Sequence, residues 1–123
     1  MTARTTLALA GLLLALATGF GAFGAHALKA HLAADPLQVF ETAVRYQFFN
    51  SLGLLGIGLA MLSIDASLLR WAAVLVLIGI VLFSGSLYAL TFGAPRMIGA
   101  VTPVGGLSLI AGWLAFAGCF LFL

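Results

Sequence analysis

Charged side chains are the scarcest component of this 123-residue sequence, in which Lys and Arg total five and Asp and Glu total three. About a quarter of the residues in a typical soluble domain are charged. Here the charged fraction is 7%, while 64% of the residues are hydrophobic. So few charges cannot cover the surface of a water-soluble globule of this length. The composition excludes a soluble domain and indicates an integral membrane protein.

Cysteines and basic clusters are also nearly missing. The single cysteine, Cys119, has no partner in its own chain, which excludes a secreted fold held together by disulfides. The five basic residues are scattered singly, so they form no patch that follows a phosphate backbone. We therefore expect no nucleic-acid partner, and we expect membrane lipid around the chain.

Long uncharged runs are what the sequence does contain, and they predict the fold. A bilayer core of about 30 Å needs roughly 20 apolar residues in a helix. The charged residues divide the chain into four uncharged runs, each long enough for one span and too short for two. We predict an all-α, integral membrane four-helix bundle with both termini on the same side, and residues 1–123 as a single domain. The predicted spans are about 5–28, 45–64, 71–92 and 103–123, with an interfacial segment at about 29–44.

Two helix starts are predicted where a capping residue precedes a proline. Asp35-Pro36 predicts the start of the second long helix, and Thr102-Pro103 predicts the start of the fourth. Arg96–Val101 then forms a short connector, with a Pro-kinked helix from Met97 as the alternative. The first run has features of a signal peptide, but its apolar stretch is longer than a usual signal core, so we expect an uncleaved helix.

Small residues at four-residue spacing predict where the helices pack closely. Helices in lipid associate through close backbone approach and polar contacts. Three helices carry such ladders: Ala17, Gly21 and Ala25 on the first, Gly56 and Ala60 on the second, and Ser108 with Gly112 on the fourth. They are compatible with packing inside the bundle and also with a face for self-association.

Polar side chains collect in a few positions near the ends of the predicted spans. They are His26, Glu41, Arg45, Tyr46, Gln47, Asn50, Ser84, Ser86, Tyr88 and Thr102. Counting helical rise along each run places all of them toward the membrane face opposite the termini. We therefore predict a candidate binding site at this polar end.

Glu41 and Arg45 are spaced i, i+4 with the acidic residue first, the favourable order for an ion pair on a helix. An unpaired Arg at the bilayer centre costs about 2.5 to 3.5 kcal/mol, so a deep position for Arg45 is unfavourable. Two interpretations remain open. The pair lies at the interface and caps the bundle, or it turns inward beside His26 and forms a buried polar site.

Catalytic and metal-binding motifs are missing from the sequence. It contains no Gly-x-Ser-x-Gly, no His-Glu-x-x-His and no phosphate-binding loop. Ser84 or Ser86 would serve as a nucleophile only with His26 within hydrogen-bond distance. His26 and His31 are five residues apart, a poor spacing for two ligands on one helix face. We predict no enzymatic activity, no metal and no cofactor.

Four segments carry a resemblance to a known family. They are Gly21–Leu28 (GAFGAHAL), Phe40–Phe49 (FETAVRYQFF), Leu82–Tyr88 (LFSGSLY) and Thr102–Gly106 (TPVGG). In this order and spacing they resemble, over essentially the whole chain, the small bacterial membrane family catalogued as domain of unknown function 423. The resemblance implies four spans and an inner-membrane location, and it implies no activity. This chain has Asn50 where many members carry His, which removes one possible partner for His26.

The sequence thus predicts a small inner-membrane protein without enzymatic activity. We expect it to bind lipid or a small amphiphile at the polar end or to support a membrane complex. The alternative is a small oligomeric transporter or channel. The basic residue Arg4 at the start of the first helix predicts an N-terminus in the cytoplasm.

Overall fold

Four long helices, connected by short turns, make up the computed structural model, which describes residues 1–122. They are α1 (Ala3–Phe23), α3 (Ala34–Met61), α4 (Ser67–Thr91) and α5 (Val101–Leu121). A π-helical turn (Gly24–Leu28) and the short helix α2 (Lys29–His31) extend α1, and a 3-10 turn (Arg96–Ala100) leads into α5. No strand occurs in residues 1–122, so the predicted all-α class is confirmed.

Both termini lie at one end of the bundle, as predicted. The hydroxyl of Thr6, near the start of α1, lies 3.6 Å from the sulfur of Met61 at the end of α3. At the other terminus, a Cβ on Gly118 would lie 3.8 Å from Leu68 at the start of α4. We call this the terminal end, and the opposite end, where α2 begins and α4 finishes, the distal end.

The helices α3 and α4 pack against each other at the centre, with α1 against α3 and α5 against α4. The main core contains residues of all four helices, and many of them are small. Its buried members are Ala10, Leu54, Ile57, Leu69, Ala72, Ala73, Val76, Ile80, Leu109 and Cys119. Because small side chains let the backbones approach, this core suits helices that have no hydrophobic drive to associate in lipid.

Three helical segments are long and apolar enough to cross a membrane: Ala3–His31, Ser67–Thr91 and Arg96–Leu121. The fourth long helix, α3, is about 42 Å long at 1.5 Å per residue, but it is less apolar. Its polar side chains Gln47, Asn50 and Ser51 are buried inside the bundle, where they do not meet lipid. The predicted span in α3 is compatible with this placement and stays a prediction.

Both predicted helix starts are wrong by a short distance. The helix α3 begins at Ala34, its N-cap Ala33 is extended, and Asp35 lies in the first turn. The negative charge of Asp35 in the first turn still interacts favourably with the positive end of the helix dipole. The helix α5 begins at Val101 directly after the 3-10 turn, so Thr102 lies inside the helix and does not cap it. The segment predicted as a connector, Arg96–Val101, is thus a 3-10 turn followed by the first residue of α5.

The segment predicted as interfacial, about 29–44, contains the end of the first helix and the start of α3, and its position relative to a membrane stays a prediction. The first helix continues as a π-turn and α2 to His31, and the chain is extended at Leu32 and Ala33 before α3 begins. The π-turn starts at Gly24, which lies directly against the ring of Phe40. A Cβ on Gly24 would lie only 2.7 Å from this ring. The smallest side chain thus lets the first helix cross closely over the start of α3.

Most residues of the small-residue ladders face other helices. Ala17 is fully buried, Ser108 donates a hydrogen bond to the carbonyl of Leu75 at 2.7 Å, and Gly112 is buried against Val76. Gly21 is half-buried and a Cβ there would lie 3.5 Å from Val44, while Ala60 is half-buried beside the core.

Two ladder residues, Ala25 and Gly56, do not pack inside the bundle, so for them the packing interpretation is wrong and the alternative of a self-association face stays a prediction. The buried face of the first helix contains Ala10, Ala17 and Gly24, which are seven residues apart. Ala25 lies about 100° around the helix from Gly24, so it is exposed. Gly56 is exposed and a Cβ there would meet nothing within 4 Å, since it lies about 200° round the helix from buried Leu54.

Candidate functional site

The structure divides the ten predicted polar-end residues into two groups. Six of them lie between helices and bond to one another or to backbone groups: Gln47, Asn50, Ser84, Ser86, Tyr88 and Thr102. The other four are exposed on the outside of the bundle: His26, Glu41, Arg45 and Tyr46. The two groups therefore have different physical roles.

Gln47 is the centre of the internal group and joins three helices. Its carboxamide nitrogen donates to the backbone carbonyl of Leu13 on α1 at 2.8 Å. Its carboxamide oxygen accepts from the hydroxyl of Tyr88 on α4 at 2.5 Å. The side chain is only 3% exposed, and a buried amide without partners would cost several kcal/mol in an apolar medium. These bonds thus hold α1 and α4 to α3.

Asn50, one turn further along α3, connects α3 to α5 in the same way. Its side-chain oxygen accepts from the indole nitrogen of Trp113 at 3.0 Å, and its amide donates to the carbonyl of Tyr46 at 3.0 Å. Trp113 lies about 18 Å of helical rise from the start of α5, and Leu13 lies about 15 Å from the start of α1. The internal group therefore extends to the middle of the bundle, whereas the sequence analysis placed it at one membrane face.

The buried serines make hydrogen bonds between α4 and its neighbours. The hydroxyl of Ser84 donates to the carbonyl of Ala43 on α3 at 2.8 Å. The hydroxyls of Ser86 and Thr102 lie 2.5 Å apart and join α4 to α5. Neither serine is bonded to His26, which is exposed. Within residues 1–122 these contacts connect helices and bring no nucleophile to a base.

Ser51 is a buried polar residue that the sequence analysis missed. It is fully buried, and its hydroxyl has no hydrogen-bond partner among the described residues. Trp113 and the carbonyl of Leu13 were also not predicted as partners. A backbone carbonyl leaves no signal in a sequence pattern, and Trp113 lies in the middle of an otherwise apolar run.

A groove between α1 and α3 contains the exposed charges of the distal end. Its volume is about 170 Å³, and its lining residues are Gly21, Gly24, Ala25, Phe40, Glu41, Val44 and Arg45. Gly21 and Gly24 carry no side chain into the groove, and Phe40 with Val44 makes its apolar floor. Glu41 and Arg45 come from successive turns of α3, so one anion and one cation line the same groove.

Glu41 and Arg45 do not form the predicted ion pair. The ion pair that the structure contains within residues 1–122 joins Arg70 to Asp65, at the terminal end of the bundle. Both Glu41 and Arg45 are exposed, so water or lipid headgroups compete for their charges. His26 is exposed as well and does not line the groove. The interpretation of a buried polar site shared with His26 is therefore wrong.

Tyr46 lies on another face of α3, away from the groove. It is 43% exposed, and its ring packs against Phe83 with the centroids 5.0 Å apart and against Phe49 at 6.2 Å. It thus belongs to an aromatic contact between α3 and α4 at the surface of the bundle.

The predicted span in α3 would place the groove near the edge of a bilayer core. A span of 20 residues counted back from Met61, the last residue of α3, begins at Thr42, between Glu41 and Arg45. On this count Glu41 would lie just outside the hydrocarbon and Arg45 in the first turn inside it, so a headgroup position for both charges stays a prediction.

The fold and the placement of polar groups define a class of protein. Large apolar side chains such as Leu107, Ile110 and Leu114 are exposed around the bundle while amides and hydroxyls are bonded inside, so this is an integral membrane protein of four helices. A family described as a protein of unknown function, DUF423, matches residues 20–106. The chain belongs to this family, as the sequence resemblance predicted.

The curated relatives are named as membrane proteins without a stated activity. The UPF0382 membrane protein SSP2132 of Staphylococcus saprophyticus is 48% identical over 99 residues, which cover 80% of this chain and 82% of the relative. The UPF0382 inner membrane protein YgdD of Escherichia coli K12 is 40% identical over 113 residues, or 92% of this chain and 86% of the relative. No solved structure matches this chain.

Proposed function

We propose that this protein is a non-enzymatic inner-membrane protein that binds a zwitterionic phospholipid in the groove between α1 and α3. The observation that supports the proposal is the juxtaposition of Glu41 and Arg45, which line one groove and are not paired with each other. The location follows the name of the relative YgdD. With Arg4 on the cytoplasmic side, the groove opens toward the outer leaflet of that membrane.

The chemistry of the groove favours a headgroup that carries both signs of charge. The guanidinium of Arg45 matches a phosphate, which it can hold through two parallel hydrogen bonds. The carboxylate of Glu41 accepts hydrogen bonds, and a primary ammonium group has three hydrogens to donate. A phosphoethanolamine headgroup supplies both groups. A choline headgroup has no N–H donor, and a glycerol headgroup leaves Glu41 without a cation.

The apolar part of the groove suits the start of an acyl chain. Phe40 is 2% exposed and Val44 is 8% exposed, so the floor of the groove is packed and preformed. Gly21 and Gly24 lie directly against Val44 and Phe40, so an acyl chain would lie along the groove and would not pass between the helices. A headgroup at the bilayer edge would then place its glycerol backbone over this floor.

Native mass spectrometry in detergent, with phosphatidylethanolamine, phosphatidylcholine and phosphatidylglycerol added in turn, tests the proposal. We expect phosphatidylethanolamine to be retained best. The variants Glu41→Gln and Arg45→Gln should each lower its apparent affinity by at least about tenfold, because a hydrogen bond to a charged group contributes about 1.5 to 3 kcal/mol and 1.4 kcal/mol is tenfold. Asp65→Asn and Arg70→Gln, which remove exposed charges at the terminal end, are the matched controls and should change nothing.

Three results would contradict the proposal. The first is equal retention of the three lipids, and the second is an affinity that the groove variants do not change. The third is a spectrum that shows bound protein or a defined oligomer without lipid. A bound protein would favour support of a membrane complex, and a bare oligomer would favour the alternative of an oligomeric transporter or channel.

A further inference from the structure

A second opening lies on the other side of α1, where this helix faces α4. The helix α1 packs on α3, and its contact with α4 near the distal end is made by Phe20 and Tyr88, whose ring centroids are 5.0 Å apart. On the terminal side of these rings is a cavity of about 180 Å³. On their distal side is a second cavity of about 160 Å³. Phe20 and Tyr88 line both cavities, so the two form one cleft divided by a pair of rings.

The cleft has polar residues in its wall, but their polar atoms are already bonded. The hydroxyl of Ser84 donates to the carbonyl of Ala43, and the hydroxyl of Tyr88 donates to Gln47. The carboxamide nitrogen of Gln47 donates to the carbonyl of Leu13. Each of these groups already has a partner inside the bundle, so none of them needs a ligand headgroup to be satisfied. The cleft therefore favours an occupant without polar groups.

The remaining lining is apolar. The terminal cavity has Leu13, Leu16, Ile80, Val81 and Gly85 in its wall, and the distal cavity adds Phe23, Phe40 and Phe92. An engineered apolar cavity of about 150 Å³ stays dry and binds benzene. Each part of this cleft is at least as large, so each has room for a segment of hydrocarbon.

We propose that the cleft between α1 and α4 is a binding site for one acyl chain of a bilayer lipid. The chain lies along the cleft parallel to the helices and passes the rings of Phe20 and Tyr88. Binding of the acyl chain is driven by dispersion contacts with the side chains that line the cleft. These side chains would have no contacts on their cleft-facing side if the gap were empty. The headgroup groove lies on the other side of the contact between α1 and α3, and the ring of Phe40 lines both sites. We expect the two sites to be occupied independently.

Gly85 provides a variant that fills the cleft without disturbing the bundle. It lines the terminal cavity, and a Cβ there would meet nothing within 4 Å. Gly85→Leu therefore places a side chain in the space of the acyl chain. Gly56→Leu is the matched control, because Gly56 is also an exposed helical glycine with open space around its Cβ and lines neither cavity.

The experiment uses nanodiscs of mixed phosphatidylcholine and phosphatidylethanolamine with a trace of phosphatidylethanolamine that carries a diazirine within one acyl chain. After photolysis, labelling of the cleft peptides 13–20 and 80–88 is divided by labelling of the outer face of α5 around Ile110. We expect this ratio to exceed one in the wild type and in Gly56→Leu, and to fall at least fivefold in Gly85→Leu. Should Gly85→Leu fail to fold, Val81→Phe fills the same cavity from a half-exposed position.

A ratio near one in the wild type, or an unchanged ratio in the filled variants, would overturn the proposal. The variants Glu41→Gln and Arg45→Gln separate the two sites. Loss of cleft labelling in these variants would show that the acyl chain belongs to a lipid held by its headgroup, and would overturn the independent site. Unchanged cleft labelling is the expected result, whatever the headgroup groove binds.

Discussion

The phenol hydroxyl of Tyr88 lies 2.5 Å from the carboxamide oxygen of Gln47, and the nitrogen of the same carboxamide lies 2.8 Å from the carbonyl of Leu13. One side chain therefore connects α1, α3 and α4. Since α1 has little direct contact with α4, this connection and the Phe20–Tyr88 ring pair span the gap between them. The connection through Gln47 therefore fixes the position of α1 relative to α4 although a cleft lies between them.

A double-mutant cycle measures the strength of this connection. Tyr88→Phe removes the donor and leaves the oxygen of Gln47 buried without a partner, while Gln47→Met removes the amide at similar volume. Interhelical hydrogen bonds in membrane proteins average about 0.6 kcal/mol and reach about 1.7 kcal/mol. We expect a coupling near the upper value, because both groups are in a buried network. The measurement is reversible unfolding in mixed detergent micelles, and a coupling within error of zero would contradict the structure.

Ser51 and Ser84 are both fully or almost fully buried, but only Ser84 has a hydrogen-bond partner. Ser51→Ala removes a hydroxyl whose burial is uncompensated, so we expect the free energy of unfolding to rise by about 1 kcal/mol. Ser84→Ala removes a bond to the carbonyl of Ala43, so we expect a loss of about 1 kcal/mol. The two variants remove the same atom, and equal effects of the two on unfolding would show that the hydroxyl of Ser51 has a partner as well.

The long uncharged runs were sufficient to predict the helices and the common side of the termini. The required length of a span and the small number of charges leave few ways to divide this chain. The direction of individual polar side chains was not predictable in the same way. Helices that are apolar on nearly all sides have no clear polar face, so the pattern does not show that Gln47 points to α1 while Glu41 points to a groove.

The ion pair between Glu41 and Arg45 was predicted from spacing alone, and its absence has a measurable consequence. Spacing at i, i+4 permits a contact, but the net gain from an exposed pair is only about 0 to 1 kcal/mol, too little to fix two long side chains. We expect Glu41→Lys and Arg45→Glu to change the free energy of unfolding by less than about 0.5 kcal/mol each. The double reversal should stay within about 0.5 kcal/mol of the wild type as well, apart from the few tenths of a kcal/mol of like-charge repulsion that each single reversal adds. Recovery of stability in the double reversal beyond these few tenths would show that the two side chains pair after all.

Gly105 and Gly106 are neighbours on α5, and only Gly105 lies directly against the backbone of α4. A Cβ on Gly105 would lie 2.8 Å from the Cα of Phe83 and still closer to its backbone nitrogen, whereas a Cβ on Gly106 would lie 3.8 Å from the Phe83 ring. Since a backbone cannot turn aside as a side chain can, Gly105→Ala must push α5 away from α4, and we expect a loss of about 1 to 3 kcal/mol. The shift also strains the bond between Ser86 and Thr102, three residues from the contact on each helix.

Gly106→Ala is the control for that comparison. The added methyl group reaches ordinary van der Waals distance, and alanine is favoured over glycine in a helix by about 1 kcal/mol, so we expect equal or higher stability. Thermal unfolding in one detergent measures both variants. A tolerated Gly105→Ala beside a destabilising Gly106→Ala would mean that α5 is rotated by about 100° from the position described here, and it would place Trp113 out of reach of Asn50.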